Sequence, residues 1–206
     1  MDIPLSHYIM YPMNVVQKVT IATGFLGVIF FVAPAFAHAA CGDDITGGDG
    51  TSGTPYLIDT PAELAAMSNC LGSGNSSKYF RLNADIDLDV SPYNTGSGWT
   101  PIGTGSGSSA FYGKFDGDYK TISNLFINDT SSYYKGLFGY TASGTVIENV
   151  LLTDVNVTGG QYGVGGLVGH NDNNSTVQNA GVLGGTISGL TRAGGLVGTN
   201  EGTVQR

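Results

Sequence analysis

The sequence predicts an all-β protein, a right-handed parallel β-helix (a β-solenoid) with a short N-terminal capping helix. One glycine-flanked tetrapeptide recurs at intervals of 30 and 29 residues, which indicates stacked repeats. Glycine accounts for 33 of the 206 residues, and charged residues make up only 12%. The segments between the glycines are short and rich in Val, Ile and Thr, a composition typical of strands joined by tight turns.

Residues 1–39 are predicted to be a secretory signal peptide. Lys18 precedes an almost wholly apolar run over residues 19–37, which ends in an A-x-A pattern. A basic residue, an apolar stretch and such a small-residue site are the three parts of a cleavable signal. A membrane anchor is the alternative, because about 20 apolar residues can span a bilayer. Pro34 and the alanine-rich end of the run favour cleavage.

Two cysteines, Cys41 and Cys70, follow the signal. In an oxidising compartment such a pair is expected to form one disulfide, which would tie the mature N-terminus to the end of the capping helix. Two unpaired thiols are the alternative. Lipid attachment at Cys41 is a further alternative, although His38 stands where a lipidation signal has an aliphatic residue.

A flexible lead-in is predicted over residues 40–54, followed by a cap and the first coils over residues 55–110. The lead-in is rich in Gly, Asp, Thr and Ser. Thr60 and Glu63, with a proline at the first helical position, are typical of a helix start because they form a capping box. The predicted helix covers residues 61–69 and closes the end of the solenoid, whose terminal strands otherwise expose unpaired edges.

A half-buried strand is predicted over residues 79–89, where apolar and polar residues alternate. The carboxylates of Asp85, Asp87 and Asp89 would then share its outer face, about 7 Å apart. Two carboxylates at such a spacing are compatible with glycoside hydrolysis. A solvated strand face is the alternative, and it is the interpretation we favour.

Carboxylate oxygens are also ligands for calcium. No repeated calcium-loop spacing is present, so we expect no cofactor and keep calcium only as a weak hypothesis. The candidate ligands are Asp85, Asp87, Asp89, Asp116 and Asp118.

Residues 111–206 are predicted to contain the repeats. No strand of one unit is long enough to bury its apolar side alone, whereas stacked coils would line these side chains into one core with parallel pairing. A β-sandwich is the alternative, but it gives no reason for a tetrapeptide to recur. The copies are Gly136-Leu137-Phe138-Gly139, Gly165-Gly166-Leu167-Val168-Gly169 and Gly194-Gly195-Leu196-Val197-Gly198.

The last two copies, the third of them followed by Asn200-Glu201-Gly202-Thr203-Val204, resemble the GLUG motif of bacterial surface and secreted proteins. Upstream segments are also similar to those that commonly precede such repeats, so the resemblance extends over residues 50–206. The family includes adhesin-like proteins and non-catalytic parts of some immunoglobulin A peptidases. The resemblance implies a parallel β-helix on an exported bacterial protein. It implies no reaction and supplies no catalytic residues.

His170 follows one motif copy at a position where the next copy has Thr199. A position that varies between repeats suggests a surface residue rather than a general base. Several tyrosines are candidates for an aromatic surface that stacks on carbohydrate, with packing over coil edges as the alternative. They are Tyr112, Tyr119, Tyr133, Tyr134, Tyr140 and Tyr162.

The net charge of −8 argues against a nucleic-acid partner, because a phosphate backbone requires a basic surface. We predict an exported surface, extracellular or periplasmic repeat protein that is not an enzyme and that serves adhesion or a structural scaffold. The expected partner is a host or matrix surface, with polysaccharide as a candidate ligand and no membrane span after signal cleavage. The alternatives are a carbohydrate-active β-helix enzyme and a non-catalytic spacer of a larger secreted enzyme. Because the sequence stops inside a repeat, we also expect it to be truncated at the C-terminus.

Overall fold

A computed structural model of the chain describes residues 39–131 and 133–206, and it shows the parallel β-solenoid that the sequence predicts. The predicted signal peptide lies outside these residues, apart from Ala39. In the described part, no helix has the length and apolar character needed to cross a bilayer. In chain order the elements are β1 (Tyr56–Ile58), α1 (Pro61–Ala66), β2 (Tyr79–Leu82), β3 (Ile86–Asp87), β4 (Lys114–Asp116), β5 (Thr121–Ser123), β6 (Phe126–Asp129), β7 (Phe138–Thr141), β8 (Val146–Glu148), β9 (Leu151–Gly159), β10 (Val164–Gly165), β11 (Val168–Asn171), β12 (Thr176–Gln178), β13 (Gly181–Ser188), β14 (Ala193–Gly194), β15 (Val197–Asn200) and β16 (Thr203–Gln205).

The strands form three faces around a common interior. Face 1 is a six-stranded sheet in the order β1-β2-β4-β8-β12-β16. Face 2 has the order β13-β9-β5-β3, with β6 also paired to β9, and face 3 combines β15-β11-β7 with the neighbouring pair β10-β14. The pairings between these strands are parallel, so the chain returns to each face in the same direction once per coil.

The core consists of apolar ladders that run from coil to coil. On face 1, Phe80, Phe115, Ile147, Val177 and Val204 occupy paired positions of successive strands. The first four side chains are buried, whereas Val204 in the last strand is 44% exposed. Burial along this ladder therefore depends on having a coil on both sides, as expected for a solenoid.

The prediction of a single strand over residues 79–89 is wrong. Strand β2 ends at Leu82, β3 begins at Ile86, and the two strands belong to different faces. The inward alternation nevertheless continues through the bend, because Leu82, Ile86 and Leu88 are all buried. Alternation reports which side chains point inward, but it does not report a corner between two sheets.

The capping helix is present but shorter than predicted. Helix α1 spans Pro61–Ala66, and a 3₁₀ segment continues it over Met67–Cys70. Further 3₁₀ turns span Ser73–Asn75 and Gly107–Ser109. The Thr60 hydroxyl accepts a hydrogen bond from the Glu63 N–H at 3.2 Å, which fixes the start of the helix as the capping box predicts.

The lead-in is attached to this cap at several points. Cys41 and Cys70 form a disulfide with their Cα atoms 4.6 Å apart. Ile45 is buried in the main core, and Gly47 pairs with Leu57 of β1 in an isolated antiparallel bridge. These contacts place an ordered layer over the first coil, although the composition of residues 40–54 suggested flexibility.

The motif glycines permit close approach between coils. A Cβ atom on Gly139 would lie 2.1 Å from the carbonyl oxygen of Gly103, and one on Gly166 would lie 2.7 Å from that of Gly195. Any side chain at these two positions would force neighbouring backbones apart. At these two positions, the spacing of the stack therefore requires glycine.

Candidate functional site

The acidic residues at and beside β3 on face 2 accept hydrogen bonds within local turns and from the neighbouring coil. The Asp85 carboxylate accepts a hydrogen bond from the Thr121 N–H at 2.7 Å. Asp87 accepts one from the side-chain amide of Asn124 at 2.8 Å and one from the Asp89 N–H at 2.9 Å. The bond from Asn124, followed by that from Asp89, lowers the pKa of Asp87 below its ordinary value. These carboxylates therefore act as local structural acceptors.

The other two calcium candidates have similar local roles. Asp116 accepts hydrogen bonds from the Asp118 N–H and from the side-chain amide of Asn149, both at 2.9 Å. Asp118 lies 3.8 Å from Lys120 in a solvent-exposed ion pair. Within the described residues, none of the five aspartates belongs to a group of three converging metal ligands. Calcium binding at these aspartates stays an untested prediction.

The candidate tyrosines divide between the protein interior and two separate surfaces. Tyr140 is buried, with Tyr112 and Tyr134 packed around it in a small second cluster. Tyr119 projects from a different part of the chain and is 79% exposed. The remaining two, Tyr133 and Tyr162, form a stacked pair.

This stacked pair marks an exposed edge of successive coils. The Tyr133 and Tyr162 ring centroids lie 5.4 Å apart at an interplanar angle of 28°, and the residues are 53% and 43% exposed. The Arg192 guanidinium lies over the Tyr162 ring, with its central carbon 5.9 Å from the centroid. We call Tyr133, Tyr162 and Arg192 the tyrosine edge. It presents aromatic faces and one cation to solvent.

The prediction that His170 is a surface residue is wrong, because the residue is only 7% exposed. It lies in β11 between Tyr140 of β7 and Thr199 of β15. The imidazole stacks on the Tyr140 ring at 4.6 Å and 13°, and Tyr134 packs against it at 5.1 Å. Aromatic side chains that precede it in the chain thus cover a position that the repeat pattern suggested to be exposed.

Two carboxylates converge on this buried imidazole. One ring nitrogen of His170 and one carboxylate oxygen each of Asp172 and Glu201 lie within 4.8 Å of one another. Across residues 39–131 and 133–206, no other three His, Cys, Asp or Glu side chains converge in this way. Asp172 is half-buried and Glu201 is exposed, so the group opens to solvent on one side. It offers one nitrogen and two oxygen ligands to a cation.

The backbone after β11 and β15 positions both carboxylates. Asn171 is fully buried, and its side-chain amide donates a hydrogen bond to the Asn200 side-chain oxygen at 2.8 Å. Asn171 and Asn200 are also paired between strands, so Asp172 and Glu201 follow at equivalent positions of successive coils. The Glu201 N–H donates to the Asn171 carbonyl at 2.8 Å, and the Asp172 N–H donates to the Thr141 carbonyl at 3.1 Å.

The electrostatics of this region shift the pKa values of His170 and Tyr140 in opposite directions. Burial lowers the pKa of His170, although the negative charges of Glu201 and Asp172 oppose this effect. Burial raises the pKa of Tyr140 to about 12, and the charge of Asp172 and a hydrogen bond with it act in the same direction. At neutral pH, the Tyr140 hydroxyl therefore stays protonated.

Sequence analysis identified His170 but missed Asp172, Glu201 and Arg192. The two acidic residues did leave a signal, because each follows the last glycine of a motif copy by three positions. An alignment of the copies places them at one repeat position. Arg192 left no such signal, since its proximity depends on the path of a loop between strands.

The GLUG motif model matches residues 160–188, a segment that contains β10, β11, β12 and β13. The chain therefore carries a GLUG motif on a β-solenoid, as the sequence resemblance indicated. His170 and Asp172 lie inside the matched segment, whereas Glu201 belongs to the following coil.

Two curated proteins are similar over most of the chain. Halomucin from Haloquadratum walsbyi is 42% identical over 158 residues, which is 75% of this chain. A protein from Evansella cellulosilytica, provisionally named a Gly-rich membrane protein, is 34% identical over 163 residues, or 77% of this chain. The matched region spans only 2% of the length of halomucin and 18% of the length of the other relative.

The fold is also similar to a solved structure from Bacteroides ovatus, described as that of a candidate immunoglobulin A1 protease. The TM-score is 0.51 and the sequence identity is 26%. The match covers 66% of this chain and 39% of the other protein.

Proposed function

We propose that this GLUG-motif repeat chain is an exported, surface-associated, non-enzymatic protein that serves adhesion, and that its tyrosine edge contacts a polysaccharide. The tyrosine edge is the observation that carries the proposal. The names of halomucin and of the Gly-rich membrane protein support a surface location. The predicted signal peptide supports export.

The chemistry of the tyrosine edge suits a sugar. The aromatic surface of Tyr133 and Tyr162 that their mutual stacking leaves exposed offers apolar area to the C–H groups of a pyranose ring. Arg192 adds hydrogen-bond donors beside Tyr162. The net charge of −8 would repel a strongly acidic polymer, so a neutral polysaccharide is the expected class.

The solenoid supports this role through its regularity. Tyr133 and Tyr162 come from successive coils, so the stack aligns aromatic groups along one edge. A polymer that contacts several coils gains avidity from each additional contact. Adhesion to an extended polymer requires such alignment and needs no catalytic group.

A non-catalytic spacer within a larger secreted protein is the second candidate. The observation that favours it is the match to a candidate immunoglobulin A1 protease, which covers 39% of that protein. A carbohydrate-active enzyme is less well supported, because Asp85, Asp87 and Asp89 are engaged in local hydrogen bonds.

The proposal is tested by probing the full chain on a printed array of neutral and acidic glycans and on insoluble neutral polysaccharides. Loss of the stacking contact in Tyr133→Ala or Tyr162→Ala is expected to weaken binding to a neutral glycan by roughly two- to tenfold, because one aromatic contact contributes roughly 0.5–1.5 kcal/mol. Tyr119→Ala is the matched control, since it also removes an exposed tyrosine but lies elsewhere.

Equal weakening by all three substitutions would contradict a specific role for the tyrosine edge. If the native chain binds no glycan, the adhesion proposal fails in this form and the spacer candidate gains support. Surface labelling of intact cells tests location separately, and a protein retained in the cytoplasm would overturn the proposed export.

A further inference from the structure

We propose that His170, Asp172 and Glu201 form a binding site for one divalent transition-metal ion, with zinc as the expected occupant. The site links two successive coils, because His170 and Asp172 belong to one coil and Glu201 to the next. It is independent of polysaccharide binding at the tyrosine edge.

The first argument is that the imidazole lacks a partner. His170 is more than nine-tenths buried, and no hydrogen bond to its ring is found within the described residues. The ring nitrogens are not among the fully buried, unpartnered polar atoms of the described residues, so the nitrogen beside the carboxylates remains open to a ligand. One of its ring nitrogens lies within 4.8 Å of both carboxylates but forms no direct ion pair with them. The gap between the ligand atoms is of the size that an ion would bridge.

The second argument is the unbalanced charge of the two carboxylates. Asp172 and Glu201 follow paired residues of adjacent coils, so their like charges lie close together. Among the described residues, no Lys or Arg forms an ion pair with either carboxylate. Arg192 is close enough to affect His170, but its guanidinium lies over Tyr162. A bound cation would neutralise both carboxylates at once.

The ligand set indicates the kind of cation. One imidazole and two carboxylates form a three-ligand protein site for zinc, which leaves one position for water or another ligand. Calcium prefers six to eight oxygen ligands, so a buried imidazole argues against it.

The surroundings provide the support that metal ligands usually have. The Tyr140 ring stacks on His170, and the Tyr134 ring also packs against it. Such contacts orient ligands and affect metal affinity. Within the described part of the chain, the Thr199 hydroxyl is buried without a hydrogen-bond partner, and Thr199 is paired with His170 between strands.

The test is titration of the full chain, stripped of metal with EDTA, with CoCl₂ and then with ZnCl₂. Visible absorption of cobalt reports nitrogen and oxygen coordination, and calorimetry gives the stoichiometry. We expect one equivalent of cobalt to bind and to be displaced by zinc. Because zinc would join two coils, it should also raise the melting temperature of the chain.

The variants separate coordination from folding. Glu201→Gln removes a ligand at an exposed position and is expected to weaken zinc binding roughly tenfold or more. His170→Phe removes the nitrogen but keeps a ring to stack on Tyr140. Asp118→Asn is the matched control, because it removes the same charge as Glu201→Gln at a distant exposed ion pair.

Zinc binding that is unchanged in Glu201→Gln would overturn the proposal, even if His170→Phe fails to fold. Equal weakening by Asp118→Asn would indicate nonspecific attraction to an acidic chain and would also overturn it. Preference for CaCl₂ over ZnCl₂ would exclude the imidazole-containing site.

Discussion

The two ends of the described solenoid carry similar apolar ladders but differ in what covers them. At the N-terminal end, α1 and the lead-in close the interior, and Ile58, Leu64 and Met67 are fully buried. In the last coil, Val204 is 44% exposed, and the inward-facing Val182 and Ile187 are only partly buried. The contrast shows that the position of a residue in the stack, more than its type, determines whether its apolar surface is buried.

One pair of valines shows most directly how burial differs between a middle coil and the last coil. Val177 and Val204 are the same residue at paired positions of face 1, yet they are 1% and 44% exposed. In a solenoid, each coil contributes stability mainly through contact with its neighbours. Substitutions at the capped end and in middle coils should therefore cost much more than equivalent substitutions in the last coil.

The largest loss of stability is expected from removal of the disulfide that ties the lead-in to the capping helix. The disulfide between Cys41 and Cys70 closes a loop with a sequence separation of 29. Loss of such a crosslink in the double variant Cys41→Ala/Cys70→Ala is expected to lower the free energy of unfolding by roughly 3–4 kcal/mol. Urea unfolding monitored by circular dichroism measures it.

Dithiothreitol provides the control, since it should destabilise the wild-type chain and leave the double variant unchanged. A double variant as stable as the wild-type chain would show that packing alone holds the lead-in on the cap.

The second largest loss of stability is expected from substitution of the buried member of the valine pair, Val177 and Val204. Val177→Ala removes two buried methyl groups and leaves a cavity, so the free energy of unfolding should fall by roughly 2–3 kcal/mol. Val204→Ala at the paired position should cost less than about 0.5 kcal/mol. Thermal unfolding of both variants measures the difference. Equal costs would contradict burial by neighbouring coils as the main source of stability.

A smaller loss of stability is expected from alanine substitution at one of two equivalent motif glycines, Gly166 and Gly195. A Cβ atom on Gly166 would meet the Gly195 carbonyl oxygen at 2.7 Å, whereas one on Gly195 has nothing within 4 Å. Gly166→Ala should therefore destabilise the chain by roughly 1–3 kcal/mol through overpacking. Gly195→Ala should be nearly neutral, and chemical denaturation compares the two. A neutral Gly166→Ala would mean that the coils can move apart freely.

The smallest effect concerns a buried acid at the capped end. Burial of Glu63 raises its pKa, but hydrogen bonds from Thr46, Asp59 and Thr60 outweigh burial and bring the pKa below its ordinary value. The Thr46 hydroxyl lies 2.7 Å from the Glu63 carboxylate, and the Asp59 N–H lies 3.0 Å from it. Glu63→Gln is expected to cost about 1–2 kcal/mol at neutral pH.

The direction of the pH dependence follows from the lowered pKa of Glu63 in the folded state. Its stabilisation is fully present above the pKa of the unfolded chain and is lost as pH falls through the lower folded pKa. Stability measured on acidification should fall less steeply in Glu63→Gln than in the wild-type chain. Identical acid profiles would show that the Glu63 hydrogen bonds contribute little.

Much of the architecture could be predicted because it repeats. The recurring glycines gave the coil spacing, and the apolar alternation identified inward side chains such as Leu82, Ile86 and Leu88. The capping box at Thr60 and Glu63 identified the start of α1 from local chemistry. The corner between β2 and β3 could not be predicted, because the same alternation continues on both sides of it.

The candidate site was harder to predict because its parts lie in different coils. His170 was visible in the sequence, but its burial depends on Tyr134 and Tyr140 from the preceding segment of the chain. The five candidate aspartates were selected by their spacing along the chain. Local backbone and amide donors engage them, and spacing alone does not reveal such donors.

The sequence by itself determined the repeat, the parallel solenoid and the cap, because each depends on local propensity or on a pattern that recurs along the chain. Only the tertiary structure decided which polar residues meet. Asp172 and Glu201 lie 29 positions apart, and coil stacking places them beside one buried imidazole. Such proximity depends on the register between coils, because contacts between coils set which residues become neighbours in space.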